Sequence, residues 1–344
     1  MAQPHSPSQP LDPLNLSLRE TATELPAAPW QVEDLIDDTT VPGQERTATV
    51  ELGGELTIRK QRSLWGDAWR RLKRNKLAVV GLILVITFAV IAIFAPVIAP
   101  YSEREVVDPR LARAGPSWYF PMGLDANGRD IFSRMVYGAR VSLVVGVLAQ
   151  AIVLLIGIPI GAIAGYFGGV TDNVLMRLVD VIYAIPQLLM VLLFVNWWGS
   201  GLFNIFLAIG LVGWVTEARL VRGQFLSLRE QDYVSAAQVA GAGGPYIIGR
   251  HMLPNSLTPI IVALTFGIPT AIFTEAALSF VGVGIRPPQA SWGQMVAEGS
   301  KPGYIESDPH MLLFPVLAIG LTMLGFSFLG DGLRDALDPK GNKD

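Results

Sequence analysis

The sequence predicts an all-α membrane protein of six membrane-spanning helices with both termini in the cytoplasm. Three observations carry that reading. Of 344 residues, 51% are hydrophobic and only 16% are charged, with a mean hydropathy of +0.43, whereas a soluble domain carries about 25% charge. Six runs approach or exceed the roughly 20 apolar residues that a helix needs to cross the hydrocarbon. The basic residues between those runs are distributed unevenly, and that asymmetry sets the orientation.

The first run, Leu77 to Ile98, is free of charge, as is the second, Val141 to Phe167. Val181 to Trp198 and Gly201 to Val215 form a close third and fourth pair, the latter rather short. Leu257 to Gly282 carries one charge, Glu275, and Met311 to Leu329 carries none. With the N-terminus inside, the cytoplasmic segments hold 16 basic residues and the outer loops eight. Eight of the 16 lie in residues 59–76, around the block "WRRLKRNK" just before the first run. Gly157, Gly161 and Gly165 fall at four-residue spacing in the second span, which lets a neighbouring helix approach closely. Pro159 and Pro186 each lack an N–H donor and loosen their helices locally.

Outside the spans, residues 1–58 contain ten acidic and two basic residues, so the remainder is net positive. Residues 1–60 are rich in Pro, Ser and Thr without apolar periodicity. They read as an acidic, disordered cytoplasmic tail, either a solvated extension or a partner-binding segment. Residues 61–76 form a basic juxtamembrane segment, residues 77–339 the membrane domain, and residues 340–344 a C-terminal tail. No basic-then-apolar leader pattern starts at Met1.

Several chemistries are excluded. There is no cysteine, so no disulfide or thiolate metal site is available. His5, His251 and His310 are isolated, none of the six lysines follows a glycine, and no G-x-S-x-G elbow occurs. The chain therefore has no visible means of hydrolysing ATP or transferring acyl groups, and it reads as a non-catalytic component with no metal or cofactor of its own.

One segment stands apart from the oily background: "YVSAAQVAGAGGPYIIGRHMLPN", Tyr233 to Asn255, which lies between two spans on the cytoplasmic side. Asp232 is suited to cap a short helix running through Tyr233, Ser235, Ala236 and Ala237, and Gly241 is placed to end it. Gly243, Gly244 and Pro245 turn the chain into a second short helix, which Pro254 stops before the fifth span. The unit 229–256 is then helix, turn, helix, with a small-residue surface suited to a groove in another protein.

That pattern resembles the coupling loop of ABC-importer permeases, whose usual form is E-A-A, three residues, G, about nine residues, then I-x-L-P. Ala236 and Ala237 match the alanines, Gly241 the glycine, and Leu253 and Pro254 the closing pair. Ser235 stands where the family usually has Glu, which would sit in a capping box. "WRRLKRNKLAVVG", "MGLDANGRDIFSRMVYGARVSL" (with Leu124 where Thr is usual), "EAALSFVGVGIRPPQASWG" and "LGDGLRDALDP" resemble, in order, blocks of the dipeptide/oligopeptide/nickel subfamily, C-type subunit. The likeness runs from about Trp65 to Pro339.

The resemblance implies a type I ABC-importer permease, half of a heterodimeric pore in a bacterial or archaeal cytoplasmic membrane. It implies a homologous second permease, two ATPase subunits that hold ATP and Mg²⁺, and an extracytoplasmic substrate-binding protein. The cargo would be di- or oligopeptides, alternatively a nickel chelate or another small solute. A secondary transporter is the rival class, but no inverted repeat is visible, and Glu275 is the one charge in the six runs. Glu275 reads either as lining the path or outer gate, or as making a structural hydrogen bond to the segment that follows it. Asp125, Arg129, Asp130, Arg134 and Arg140 lie outside, where they form either an ion-pair network or a docking surface for the binding protein. Asp331, Arg334 and Asp335 cap the last span or touch the ATPase.

Overall fold

The computed structural model describes residues 64–287 and 289–337. The acidic segment 1–60, residues 61–63 of the basic segment and the tail 340–344 lie outside the described residues. Helix α1 (Leu64–Arg74) carries Trp69 and basic residues on an open face, with the Lys73 ammonium 4.9 Å from the Trp69 ring. Its opposite face buries Ala68 and Leu72. Asn75 then starts α2 (Lys76–Ile93) by accepting from the backbone N–H groups of Leu77 and Ala78 at 3.1 and 3.2 Å. The first span ends there, because Phe94 and Pro96 break it from the single turn α3 (Ala95–Ile98).

Helix α4 (Ile131–Phe167) is 37 residues long and continuous through Pro159, so the second span begins ten residues before the apolar run at Val141 does. Asp130 caps it by accepting from the Ser133 backbone N–H and hydroxyl, at 2.8 and 2.6 Å. After Gly168, α5 (Gly169–Tyr183) and α6 (Gln187–Trp198) form a pair bent by 80° at Pro186. The expected third span is thus a broken helix, and it starts twelve residues earlier than its apolar half suggests. Helix α7 (Leu202–Arg229) runs well past Val215, and α5 supplies the reason. Asp172 accepts two hydrogen bonds from Arg222, at 2.5 and 2.6 Å, and Asp180 one from Arg219 at 2.6 Å. The Arg219 guanidinium also lies 4.1 Å from the Tyr183 ring. Charges that end a hydropathy run need not end a helix when the neighbouring element pairs with them.

Beyond the short helix α8 (Asp232–Val239) and the turn α9 (Gly244–Ile247), the chain enters α10 (Leu253–Phe280). On the outer side, α11 (Trp292–Gly299) and the turn α12 (Tyr304–Ser307) precede the last span, α13 (His310–Leu337). Among the described residues, five helices are long and apolar enough to cross a membrane, and the bent pair is a sixth candidate.

Glycine contacts fix the relative directions of the spans. A Cβ at Gly157 would lie 2.9 Å from Cβ of Glu217, one at Gly165 2.6 Å from Cβ of Phe225, and one at Gly210 2.6 Å from Cβ of Ile152. Residue numbers rise together on both helices, so α4 and α7 run parallel. Two parallel spans with one connection between them require that connection to recross the membrane. The α5–α6 pair therefore crosses, and the spans number six. By the same contacts α10 is antiparallel to α4 (Gly146 on Ile272 and Ile268, Gly267 on Gln150), and α13 is antiparallel to α2 (Gly81 on Gly325 and Leu329).

Candidate functional site

The cytoplasmic segment between α7 and α10 differs from its expected form at both ends. Glu230 and Gln231 alone separate α7 from α8, with the Gln231 N–H donating to the Leu228 carbonyl at 3.2 Å. Gln231, extended at φ −79° and ψ 143°, is the residue that precedes the helix, and no side chain caps it. Asp232 is thus the first helical residue rather than the cap. Its carboxylate sits in the first turn, where the helix dipole favours negative charge.

Helix α8 stops as the glycine requires. Gly241 lies at φ +84°, its N–H donates to the Gln238 carbonyl at 2.9 Å, and that of Ala242 donates to Ala237 at 3.0 Å. This pair of bonds is the Schellman arrangement, which needs a left-handed residue where Gly241 stands.

The second short helix does not end at Pro254. Gly244–Ile247 passes into five residues of wide π-helical turn, Ile248–Met252, and then directly into α10. The Leu253 N–H reaches back to the Ile248 carbonyl, five residues away. That wider step accommodates Pro254, which lacks a donor and would clash in an ordinary turn. The fifth span is consequently wound continuously into the loop.

Val234 is the anchor of α8. It is fully buried among Phe225, Ile247, Met252 and Ile260. Ala237 packs beside it against the same cluster, while Ser235, Ala236 and Val239 are exposed, the last at 90%, and a Cβ at Gly241, Gly243 or Gly249 would meet open space. Tyr233 and Tyr246, both exposed, flank the His251 ring at centroid distances of 6.5 and 5.7 Å. Leu253 packs beneath and Pro254 faces out. The surface is small-residued, uncharged along α8 after Asp232, and rimmed by two tyrosines.

In the outer block, Asp125, Arg129 and Arg134 form an ion-pair network that also takes in Glu298, while Asp130 and Arg140 stand outside it. Asp125, Arg129, Asp130 and Arg134 are all buried, so they offer no docking surface. Asp125 accepts from the backbone N–H groups of Asn127 and Arg129, at 2.7 and 2.9 Å, and pairs with the guanidinium groups of Arg129 and Arg134. Arg134 also donates to Glu298 at 2.6 Å, which ties the loop before α4 to α11. Asp130 belongs to the helix cap instead, and Arg140 is exposed, without an ion pair among the described residues.

Glu275 is fully buried and lines none of the described cavities. It accepts from the hydroxyls of Ser279 and Ser291, each at 2.8 Å, which fastens α10 to the segment that leads into α11. The charge that does border a cavity is Glu217. It escaped the sequence reading because the fourth span was ended at Val215. Asp331, Arg334 and Asp335 lie exposed in the last turns of α13.

Residues 157–343 match the family described as binding-protein-dependent transport system inner membrane component, and residues 63–116 match the N-terminal TM domain of oligopeptide transport permease C. The chain belongs to this permease family. It is 44% identical to the oligopeptide transport system permease protein OppC of Bacillus subtilis, over 84% of this chain and 94% of the relative. Identity to the dipeptide transport system permease protein DppC of the same organism is 45%, over 80% and 85%. The glutathione transport system permease protein GsiD of Pectobacterium atrosepticum is 40% identical, over 81% and 92%. Among solved structures, the MetNI methionine ABC transporter in inward-facing conformations shares the fold, with 19% identity, a TM-score of 0.50, and coverage of 60% of this chain and 98% of that one. The permease is thus a multi-pass membrane protein and the non-catalytic component of an ABC importer.

Proposed function

We propose that this permease forms half of the peptide-conducting pore of an importer in the cytoplasmic membrane and that α8 is its coupling helix. The observation that carries the reading is the outward face of α8. It is a short helix anchored by buried Val234 and stopped by a left-handed glycine, after which α9 runs without a break into the fifth span. Such a helix seats in a cleft of an ATPase subunit, and movement of that subunit passes through the π turn into α10 and through Glu230–Gln231 into α7. ATP and Mg²⁺ belong to two such ATPases. ATP binding favours their closed state, and that differential affinity shifts the permease. A second, homologous permease completes the pore, and a binding protein delivers cargo from outside. Peptide as cargo is supported by the relatives' oligopeptide, dipeptide and glutathione systems, which share peptide chemistry.

Ala236→Trp tests the seat, because Ala236 is exposed and a bulky side chain there leaves the fold intact. In the reconstituted importer we expect binding-protein-stimulated ATP hydrolysis to fall about tenfold or more while the purified permease keeps its melting temperature. Gly241→Val should do the same and also loosen α8, since φ +84° is hostile to a β-branched residue. Wild-type stimulation and uptake in Ala236→Trp would remove α8 from the coupling role.

A further inference from the structure

Where α4, α7 and α10 meet, a groove of about 300 Å³ opens between the spans, lined by Gln150, Gln187, Thr216, Glu217, Thr270 and Thr274 along with apolar residues. Glu217 lies about 22 Å along α7 from its outer end, at roughly 1.5 Å per residue, and so within a hydrocarbon core about 30 Å thick, past its midpoint. An acid inside a span is costly unless it faces a pathway or a partner. Glu217 is 9% exposed, and among the described residues no cation pairs with it. Its sole hydrogen bond among them is from the Gln150 amide nitrogen at 3.4 Å.

The groove is built around this pair. A Cβ at Gly157 would press on Cβ of Glu217, and a Cβ at Gly267 would overlap the Gln150 amide, so small residues on both sides keep the two side chains in place. The donors on the walls are largely committed. Gln150 donates to Glu217, Thr270 to the Phe266 carbonyl at 2.8 Å, and Thr274 to the Thr270 carbonyl at 2.8 Å. Oxygen acceptors remain. Thr216, Thr270 and Gln187 are exposed, and such residues do not face lipid in preference to water or another helix.

We propose that this groove is a cation subsite on the translocation path, with Glu217 receiving a primary ammonium group of the passing peptide. Every unblocked peptide whose first residue is not proline carries one at its amino end. The inference rests on the peptide-import reading for its cargo but not for its charge preference. Glu217 acts by binding. Gln150 positions its carboxylate, and the threonine oxygens accept the remaining N–H groups of the ammonium.

Two experiments on the assembled importer separate these points. The chain has no cysteine, so Thr270→Cys introduces a single thiol across the groove. We expect a cationic methanethiosulfonate reagent to modify it at least tenfold faster than an anionic one of similar size, and Glu217→Gln to bring the two rates within about twofold. No reaction with either reagent, or equal rates with Glu217 intact, overturns the subsite even if the Gln variant fails to assemble. In the second experiment, Glu217→Gln should slow uptake of trialanine about tenfold, and Glu217→Asp should restore most of it. Alanyl-lysyl-alanine tells the two ammonium sources apart, since a loss confined to it assigns the lysine side chain. Unchanged uptake of both peptides by Glu217→Gln overturns the cargo role. A wild-type importer that moves no peptide sinks the import reading, while the reagent ratio still decides the cation site.

Discussion

Asp125 concentrates the chemistry of the outer face in one side chain, with one oxygen on two backbone N–H groups and the other on two guanidinium groups. Removing one partner of a buried pair leaves an uncompensated charge, at about 3–5 kcal/mol. Asp125→Asn should therefore lower the melting temperature of the detergent-solubilised protein sharply, whereas Arg140→Ala, at an exposed and unpaired site, should leave it within about 2 °C of wild type. The alternation of charges was legible as a motif. Its burial was not, nor was Glu298, 164 positions from Arg134 in the chain. Exposed ion pairs contribute about 0–1 kcal/mol, and it is burial that changes the arithmetic.

Between α4 and α7, small residues let two helices approach where apolar surface alone supplies no drive inside lipid. Gly157, Gly161 and Gly165 at four-residue spacing predicted such a contact, and all three meet α7. Overpacking there costs about 1–3 kcal/mol, so Gly161→Leu should reduce recovery of the folded permease in a size-exclusion profile. Gly223→Leu is the control. That glycine is exposed, a Cβ there meets nothing within 4 Å, and the profile should not change. Helix ends were less legible than helix contacts. Asp232 looks like a cap in isolation, but the two-residue connection to α7 puts the cap position at Gln231 and makes Asp232 the first helical residue. Pro254 looks like a stop, but the π turn before it lets the helix continue.

For the whole molecule, the parallel course of α4 and α7 obliges the bent α5–α6 pair to cross the membrane. The absence of cysteine makes that directly measurable. Trp118→Cys, at a site 96% exposed on the outer loop, and Gly201→Cys, where a side chain meets open space, should both label with an impermeant thiol reagent on intact cells. Val239→Cys, at a site 90% exposed on α8, should label only after permeabilisation. Labelling of Gly201→Cys from the inside alone would make the pair re-entrant and reverse the direction of every later span.

The amino-acid sequence was enough for the number of spans, for an expected orientation and for the place of the short helix that precedes the fifth span. Those depend on local quantities: the length of an apolar run against the bilayer thickness, the count of basic residues beside it, and a glycine where the backbone must turn left-handed. The tertiary structure alone decided which charges are interior. Glu217 enters the membrane because Arg219 and Arg222, beyond it on α7, pair with α5 and carry the helix onward. Glu275 leaves the list of path-lining groups because Ser291, sixteen residues on, folds back to it. Such outcomes are set by contacts between residues far apart in the chain, which hydropathy and spacing do not contain.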